Sequence, residues 1–286
     1  MQRRLLINLG LLLLIILLSV LIYHGSEQKK TAPDVKLTQL QPDTIKKIQI
    51  TRKGSDTIEL VRKDKQWFMQ KPIQAPANEF RIKTLLKLAN AYSYTHFVAS
   101  AAELQQYQLD KPAISVSFNG TTIALGNTSP VEKRRYVLVN NTVHMINDSL
   151  YQQLQAPATF FLDNQLVRGD SPIKQIRFPG YTIEAANGIW QIDPKRDTSS
   201  DKLVSLVQAW ESLTAITVKT YQPETVSNQP QQVIIETEDG KTQHFDIVSP
   251  APDLVLANPE LGLEYVIADE ITGDLFLDKI DHSDDQ

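Results

Sequence analysis

Hydrophobic and polar positions are arranged in several distinct ways along this chain, and each arrangement predicts a different element. Residues 5–23 carry no charge, and fifteen of these nineteen positions are Leu, Ile or Val. At about 1.5 Å per residue, a helix of that length spans roughly 28 Å, close to the hydrocarbon thickness of a bilayer. Those side chains favour insertion by about 4–9 kcal/mol in all, against small penalties from Asn8, Gly10 and Ser19. A transmembrane helix is therefore expected within residues 1–23. The run exceeds a secretory h-region, and residues 24–33 offer no small-x-small cleavage site, so it reads as an uncleaved signal anchor. Arg3 and Arg4 precede it, while Glu27 partly offsets Lys29 and Lys30 behind it. The positive-inside bias then keeps the N-terminus cytoplasmic and the bulk of the chain on the far side of the membrane. Residues 24–43 are polar, contain Pro33 and Pro42 and lack a period, which predicts a linker with a coil dimension of roughly 25 Å.

Beyond the linker, two segments have helical spacing. Leu203, Leu206, Val207, Trp210 and Leu213 fall at i, i+3, i+4, i+7 and i+10, and Ile82, Leu85, Leu86 and Ala89 follow the same rule, so one face of each helix is buried. Asn78 and one of residues 198–200 are the expected N-caps, and Ser100 with Glu103 fits a capping box for a shorter helix towards Tyr107. Alternating stretches ending in Asn119-Gly120 and Asp239-Gly240 predict hairpins. A second strand pair follows in each region, 136–139 with 143–146 and 254–256 with 264–267. Asp148 and Asp269 are then expected to cap short closing helices.

These elements recur in the same order. Ile45-Lys46-Lys47-Ile48-Gln49-Ile50 opens one series and Ile173-Lys174-Gln175-Ile176-Arg177-Phe178 the other, each followed by a short strand, a tryptophan strand (Trp67, Trp190), a proline and a helix. The offset falls from 128 at Ile45/Ile173 to 123 at Trp67/Trp190 and 120 at Gly120/Gly240, as loop-length changes between duplicated units would produce. The fold class read from this pattern is α+β: the N-terminal transmembrane helix, then two tandem repeats of antiparallel sheet, each covered by one long helix. The expected divisions are 1–23 anchor, 24–43 linker, 44–169 first repeat and 170–286 second repeat with an acidic tail. Both tryptophans, flanked by alternate apolar neighbours, are expected to pack under the helices rather than to stack on a ligand.

Composition narrows the chemistry. The net charge is −4, of which the last nine residues supply −3, so the body is near neutral and lacks the clustered basic excess that nucleic acid requires. There is no cysteine, which removes disulfides, thiolate catalysis and cysteine-ligated zinc. The five histidines are scattered without His-x-x-x-His spacing, and no phosphate-cradling glycine loop, Gly-x-Ser-x-Gly elbow or Ser-x-x-Lys motif occurs. No catalytic residue, metal site or cofactor is expected. Glu132-Lys133-Arg134-Arg135 is the densest basic run; such charges at a strand entrance usually guard a sheet edge, and Lys133, Arg134 and Arg135 are the candidate partner-contact residues.

Trp67, Pro72, Ala77-Asn78 before a helix with Leu85-Leu86, then Tyr107-Gln108-Leu109-Asp110-Lys111-Pro112, Leu125-Gly126, Thr128-Ser129-Pro130 and Tyr136-Val137 form a set. As a set they resemble the bacterial family catalogued as domain of unknown function 4340, over most of residues 45–167, with a more divergent second copy from Ile173. Gln108 stands where that family usually has the glycine of Tyr-Gly-Leu, and the second copy keeps only Tyr221-Gln222-Pro223. The resemblance implies an anchored protein of the bacterial cell envelope, often encoded beside components of a gliding-motility-type ABC transport system and regarded as its auxiliary subunit. It supplies no catalytic residues. The expected function is that of a non-enzymatic binding subunit, single-pass in the bacterial inner membrane with a periplasmic body, whose partner is a membrane protein such as an ABC transporter component. The alternatives are an envelope hydrolase acting on cell-wall or polysaccharide material through carboxylates such as Asp110 or Glu132, and a pure assembly scaffold.

Overall fold

The computed structural model describes residues 35–169, 171–223 and 230–278, together with the single helical residue Ile15. Apart from Ile15, the expected anchor lies outside the described residues, as does the tail beyond Asp278. Among the described residues no helix is long and apolar enough to cross a membrane.

The chain enters the fold through β1 (Val35–Lys36) and a 3-10 turn (Pro42–Thr44), then forms β2 (Lys47–Arg52), β3 (Ile58–Lys63), β4 (Gln66–Lys71), β5 (Ala75–Pro76) and helix α1 (Glu79–Leu86). Next come β6 (Tyr92–Ser93), β7 (Thr95–Phe97), α2 (Ala101–Gln106), β8 (Ile114–Phe118), β9 (Thr121–Thr128), β10 (Arg134–Val139), β11 (Thr142–Asn147) and α3 (Tyr151–Gln155). A 3-10 turn (Ala158–Phe161) leads to β12 (Ile173–Phe178), β13 (Tyr181–Ala186), β14 (Ile189–Asp193), α4 (Ser200–Glu211), β15 (Thr217–Thr220), β16 (Gln232–Thr237), β17 (Thr242–Ser249), β18 (Leu254–Asn258), β19 (Leu263–Ile267) and α5 (Asp269–Thr272).

Nine strands form one sheet in the order β5-β4-β3-β2-β8-β9-β10-β11-β7, and eight form the other in the order β14-β13-β12-β16-β17-β18-β19-β15. Their pairings are antiparallel. Leaving β5 aside, the two orders are the same. The molecule is thus a sheet-rich α+β protein with few helices. Beyond the sequence reading the first sheet gains β5 and β7 and the second gains β15; β7 and β15 come after the helix of their unit and close the far edge. Thr95-His96-Phe97 has too short an alternation to announce itself; its pairing with β11 holds it extended.

Local chemistry explains most boundaries. Asn119 and Gly120 both take positive φ, 48° and 94°, the backbone that a two-residue hairpin turn requires. The Asn119 carboxamide oxygen also accepts hydrogen bonds from the Lys46 and Lys47 amides at 2.9 and 3.1 Å, fastening the turn to β2. Asn78 caps α1 by accepting from the Arg81 amide, Ser199 caps α4 by accepting from the Lys202 amide, and Ser100 with Glu103 completes the capping box of α2. Two expected caps are corrected. The residue before α3 is Leu150, Asp148 being engaged by an arginine, and Asp269 is the first residue of α5, behind Ala268.

The linker is also shorter than expected. Leu37 is buried and its amide donates to the Ala91 carbonyl at 2.9 Å, while the buried Thr38 hydroxyl donates to the Ala89 carbonyl at 2.6 Å. Residues 35–43 therefore belong to the fold; a single buried Leu-Thr pair in a polar stretch has no period to reveal it.

One apolar core runs through both units, from Leu37 to Phe276, and lies between the sheets and α1 and α4. Residues 156–169 join the units: Ala77 bridges to Leu162, Gln165 bridges to Thr214, and Asn164 accepts from the Asn78 side chain at 3.1 Å while donating to the Ala215 carbonyl at 2.8 Å. Trp67 and Trp190 both occupy the second position of their strands, but only Trp67 is fully buried. Trp190 is half-buried on the rim. In the second unit the buried indole is Trp210, 0% exposed on α4, with its N–H donating to the Leu275 carbonyl at 2.8 Å. Counted by their buried rows, Ala89 stands where Trp210 stands, so each unit buries one indole, from the strand in one and from the helix side in the other.

Candidate functional site

The basic run entering β10 separates into three environments. Arg135 points inward and is 7% exposed; its guanidinium pairs with Asp148 through two nitrogens, donates to the Gly126 carbonyl and lies 3.4 Å over the Tyr151 ring. The Thr128 hydroxyl donates to the same carboxylate at 3.0 Å. A buried arginine is held this way because its desolvation is offset only by a complete set of partners. Arg135 therefore presents no charge at the surface, which corrects its expected place among the partner contacts. Lys133 is exposed in the turn, at φ 56°. Arg134 faces out, paired with Glu132 at 2.8 Å and stacked 3.6 Å over the Tyr94 ring.

That stack opens onto a surface at one end of the first sheet. Tyr94 is 44% exposed, Tyr92 53% and Val131, at the tip of the β9–β10 turn, 87%. Beside the tyrosines is an open groove of about 380 Å³ whose lining includes Thr84 and Lys87 at the end of α1, and Leu150 and Gln153 at the start of and within α3. β1 pairs with β6, placing Lys36 opposite Tyr92 with its ammonium 5.8 Å from the ring centroid. Hence the point where the chain enters the fold, the exposed aromatics and the cations Lys36, Lys87, Lys133 and Arg134 share one end of the unit. Lys36, Lys87, Tyr92 and Tyr94 carry no signal in the sequence beyond a Tyr-Ser-Tyr alternation, because three separate segments supply them.

The residues that carry the family resemblance do a different job. Tyr107, Leu109, Phe97, Tyr136 and Leu138 cover the sheet face opposite α1, with Tyr107 stacked on Tyr136 at 4.2 Å between centroids. The Asn127 amide donates to the Tyr107 carbonyl at 2.9 Å. A methyl on Gly126 would collide with that carbonyl and touch the Leu109 side chain at 3.0 Å, so only glycine admits the segment. Gln108 sits at φ 58°, a left-handed backbone that glycine adopts without a Cβ penalty. Tyr107-Gln108-Leu109 and Leu125-Gly126 are two halves of one packing contact.

Elsewhere, Ser93 and His144 are buried with the hydroxyl and Nδ1 3.0 Å apart, and His144 stacks on His96. Burial, assisted by His96, pushes the His144 imidazole below its ordinary value. Asp110 is exposed, and Glu132 is occupied by Arg134. Glu103, Glu236 and Asp239 are held below the usual carboxylate range, Glu103 by Ser100, Glu236 by Lys174 and Asp239 chiefly by Lys241 and Thr237, the last at about 2. A carboxyl that serves as a general acid is shifted the opposite way. A concavity of about 630 Å³ lies between Pro250-Ala251 and α5, with Asp269, Glu270 and Asp278 on its rim. Arg196 engages Asp278 there. Among the described residues no group of three or more His, Asp or Glu is placed to hold a metal ion.

No curated protein and no solved structure matches this chain. The family described as "Domain of unknown function (DUF4340)" matches residues 25–112 and again, overlapping, 67–233. With the greater part of its length covered by these matches, the chain belongs to the DUF4340 family.

Proposed function

We propose that this protein is a non-enzymatic auxiliary or binding subunit of the bacterial envelope, held by a single N-terminal span in the inner membrane with its folded body in the periplasm, and that it serves an ABC-type transport system. The observation that carries the reading is the seating of residues 35–43 on the first unit through β1, Leu37 and Thr38. Only eleven residues, 24–34, then separate the apolar run from the fold. As a coil they reach roughly 18 Å, so a partner resident in the same membrane meets the protein at high effective concentration and weak contacts suffice. The shared strand order supports reading the two units as copies of one module, and the exposed basic and aromatic end lies beside the entry point.

The reading is tested by complementing a deletion strain with residues 35–286 exported to the same compartment at matched abundance. An auxiliary subunit needs its tether, so no rescue is expected; full rescue overturns the membrane-partner role. Purification of the whole chain in mild detergent tests the finer assignment, the expected companion being an ABC-type permease or ATPase.

A further inference from the structure

We propose that the Lys36, Tyr92, Tyr94, Lys133 and Arg134 end of the first unit rests on anionic phospholipid headgroups. This inference deepens the anchored reading above and rests on it. Four cations at this end (Lys36, Lys87, Lys133, Arg134) stand beside two carboxylates, Glu132 on Arg134 and Asp148 on the buried Arg135, in a chain whose net charge is −4. The cationic end is thus a local exception to an acidic molecule, and it coincides with the place where the chain arrives from the apolar run.

The side chains suit a membrane interface. Tyrosines with an apolar ring and a polar tip are enriched at headgroup depth. Here the rings of Tyr92 and Tyr94 are half exposed beneath cations, at 5.8 Å from Lys36 and 3.6 Å from Arg134. Val131, 87% exposed on the turn between Glu132 and Pro130, adds an apolar tip with no internal partner to explain it. Eleven residues of tether limit how far this end can stand from the bilayer to about 40 Å even when fully drawn out, and to roughly half that as a coil. Each basic side chain brought close to an anionic surface favours contact roughly fivefold, and the attraction fades within a Debye length of about 8 Å at physiological salt.

The absence of cysteine makes the test clean. The full chain carrying Val131→Cys, labelled there with an environment-sensitive fluorophore, is reconstituted in nanodiscs of zwitterionic phospholipid or of the same lipid with one-third anionic phospholipid, both containing a headgroup-level quencher. A second chain carries Lys65→Cys, in the turn between β3 and β4 at the opposite end of the strands. Quenching at position 131 at least threefold stronger in anionic discs than in zwitterionic discs, absent at position 65, and lost both at high salt and in K36E/K133E/R134E, is the expected result. If the triple variant fails to fold, the salt response of the otherwise unmodified chain reads the same charge. Equal quenching in the two lipids, or none in either while the protein remains disc-bound, overturns headgroup docking and leaves the anchor standing. Failure of the chain to co-elute with discs of either composition removes the anchored reading, and the proposal with it.

Discussion

Both units bury one side of their sheet under a helix, but they finish the other side in different ways. In the first unit the segment after β7 lays Leu104, Tyr107 and Leu109 over Ala124, Tyr136, Leu138 and Val143. In the second, the matching face carries buried polar groups: Asp246 accepts from the Gln232 side chain at 2.7 Å, and Glu264 accepts from the Gln222 amide at 3.0 Å. The hairpins show how directly one replaces the other. Counting five residues from Thr121 in β9 and from Lys241 just before β17, Gly126 and Asp246 occupy matching positions, one residue past the core side chains Leu125 and Phe245. Where glycine admits a backbone carbonyl from outside, an aspartate fills the space with its own side chain. The module tolerates a new covering because the sheet-and-helix core is complete without it, and the family's motifs mark the covering of one copy only.

The largest effect expected from breaking this comparison lies in the tryptophans. Trp67→Ala should lower unfolding free energy by about 3–5 kcal/mol as a core truncation, whereas Trp190→Ala, on the rim, should cost about 1–2 kcal/mol. Urea unfolding of the two variants measures the gap; equal losses would mean that Trp190 is as much a core residue as its counterpart. Next comes Gly126→Ala, which should destabilise by about 1–3 kcal/mol through overpacking against Tyr107 and Leu109. Without that contact the same change would stabilise by roughly 0.4–1 kcal/mol by restricting the unfolded chain, so the sign alone decides.

Smaller effects sharpen the contrast. Gln108→Gly restores the family's usual residue at a positive φ and should stabilise by about 0.5–1 kcal/mol, visible as a raised denaturation midpoint with an unchanged slope. The last effect is on pH. The rung that pairs His144 with His96 in the first sheet corresponds to the one that pairs Tyr265 with Val218 in the second. Only the first carries imidazoles. The His144 imidazole has its folded pKa below its ordinary 6.5, so the unfolded chain binds more protons as pH falls through that value, and stability present above about pH 6.5 is lost below it. Histidine to glutamine at position 144 should flatten that slope in denaturation curves between pH 7.5 and 5; an unaltered slope would place the titration elsewhere.

Much of the fold is local and was therefore legible. The rows Leu203 to Leu213 and Ile82 to Ala89, the caps Asn78 and Ser100, and the turns Asn119-Gly120 and Asp239-Gly240 follow from periodicity, capping and φ preferences that a few consecutive residues satisfy among themselves. The repetition of those signals predicted two units with the same order of elements along the chain. Family membership was legible for a related reason: Gly126 is required by the close approach of the Tyr107 carbonyl, and the Tyr107-Gln108-Leu109 turn packs against it. The candidate site was legible only as a basic run, and that run misled. Whether a cation faces solvent or a carboxylate depends on contacts between distant segments, and these put Arg135 inside with Asp148 while Lys36, Tyr92, Tyr94, Lys87 and Arg134 gathered at one end. The same holds for β7, β15 and residues 35–43, which are ordered by partners rather than by their own pattern, and for the choice of Trp210 over Trp190 as the buried indole. The sequence alone determined the elements, their order and their duplication; tertiary structure decided edges, coverings and the company each charge keeps, because those are settled by which surfaces meet and how much volume lies between them.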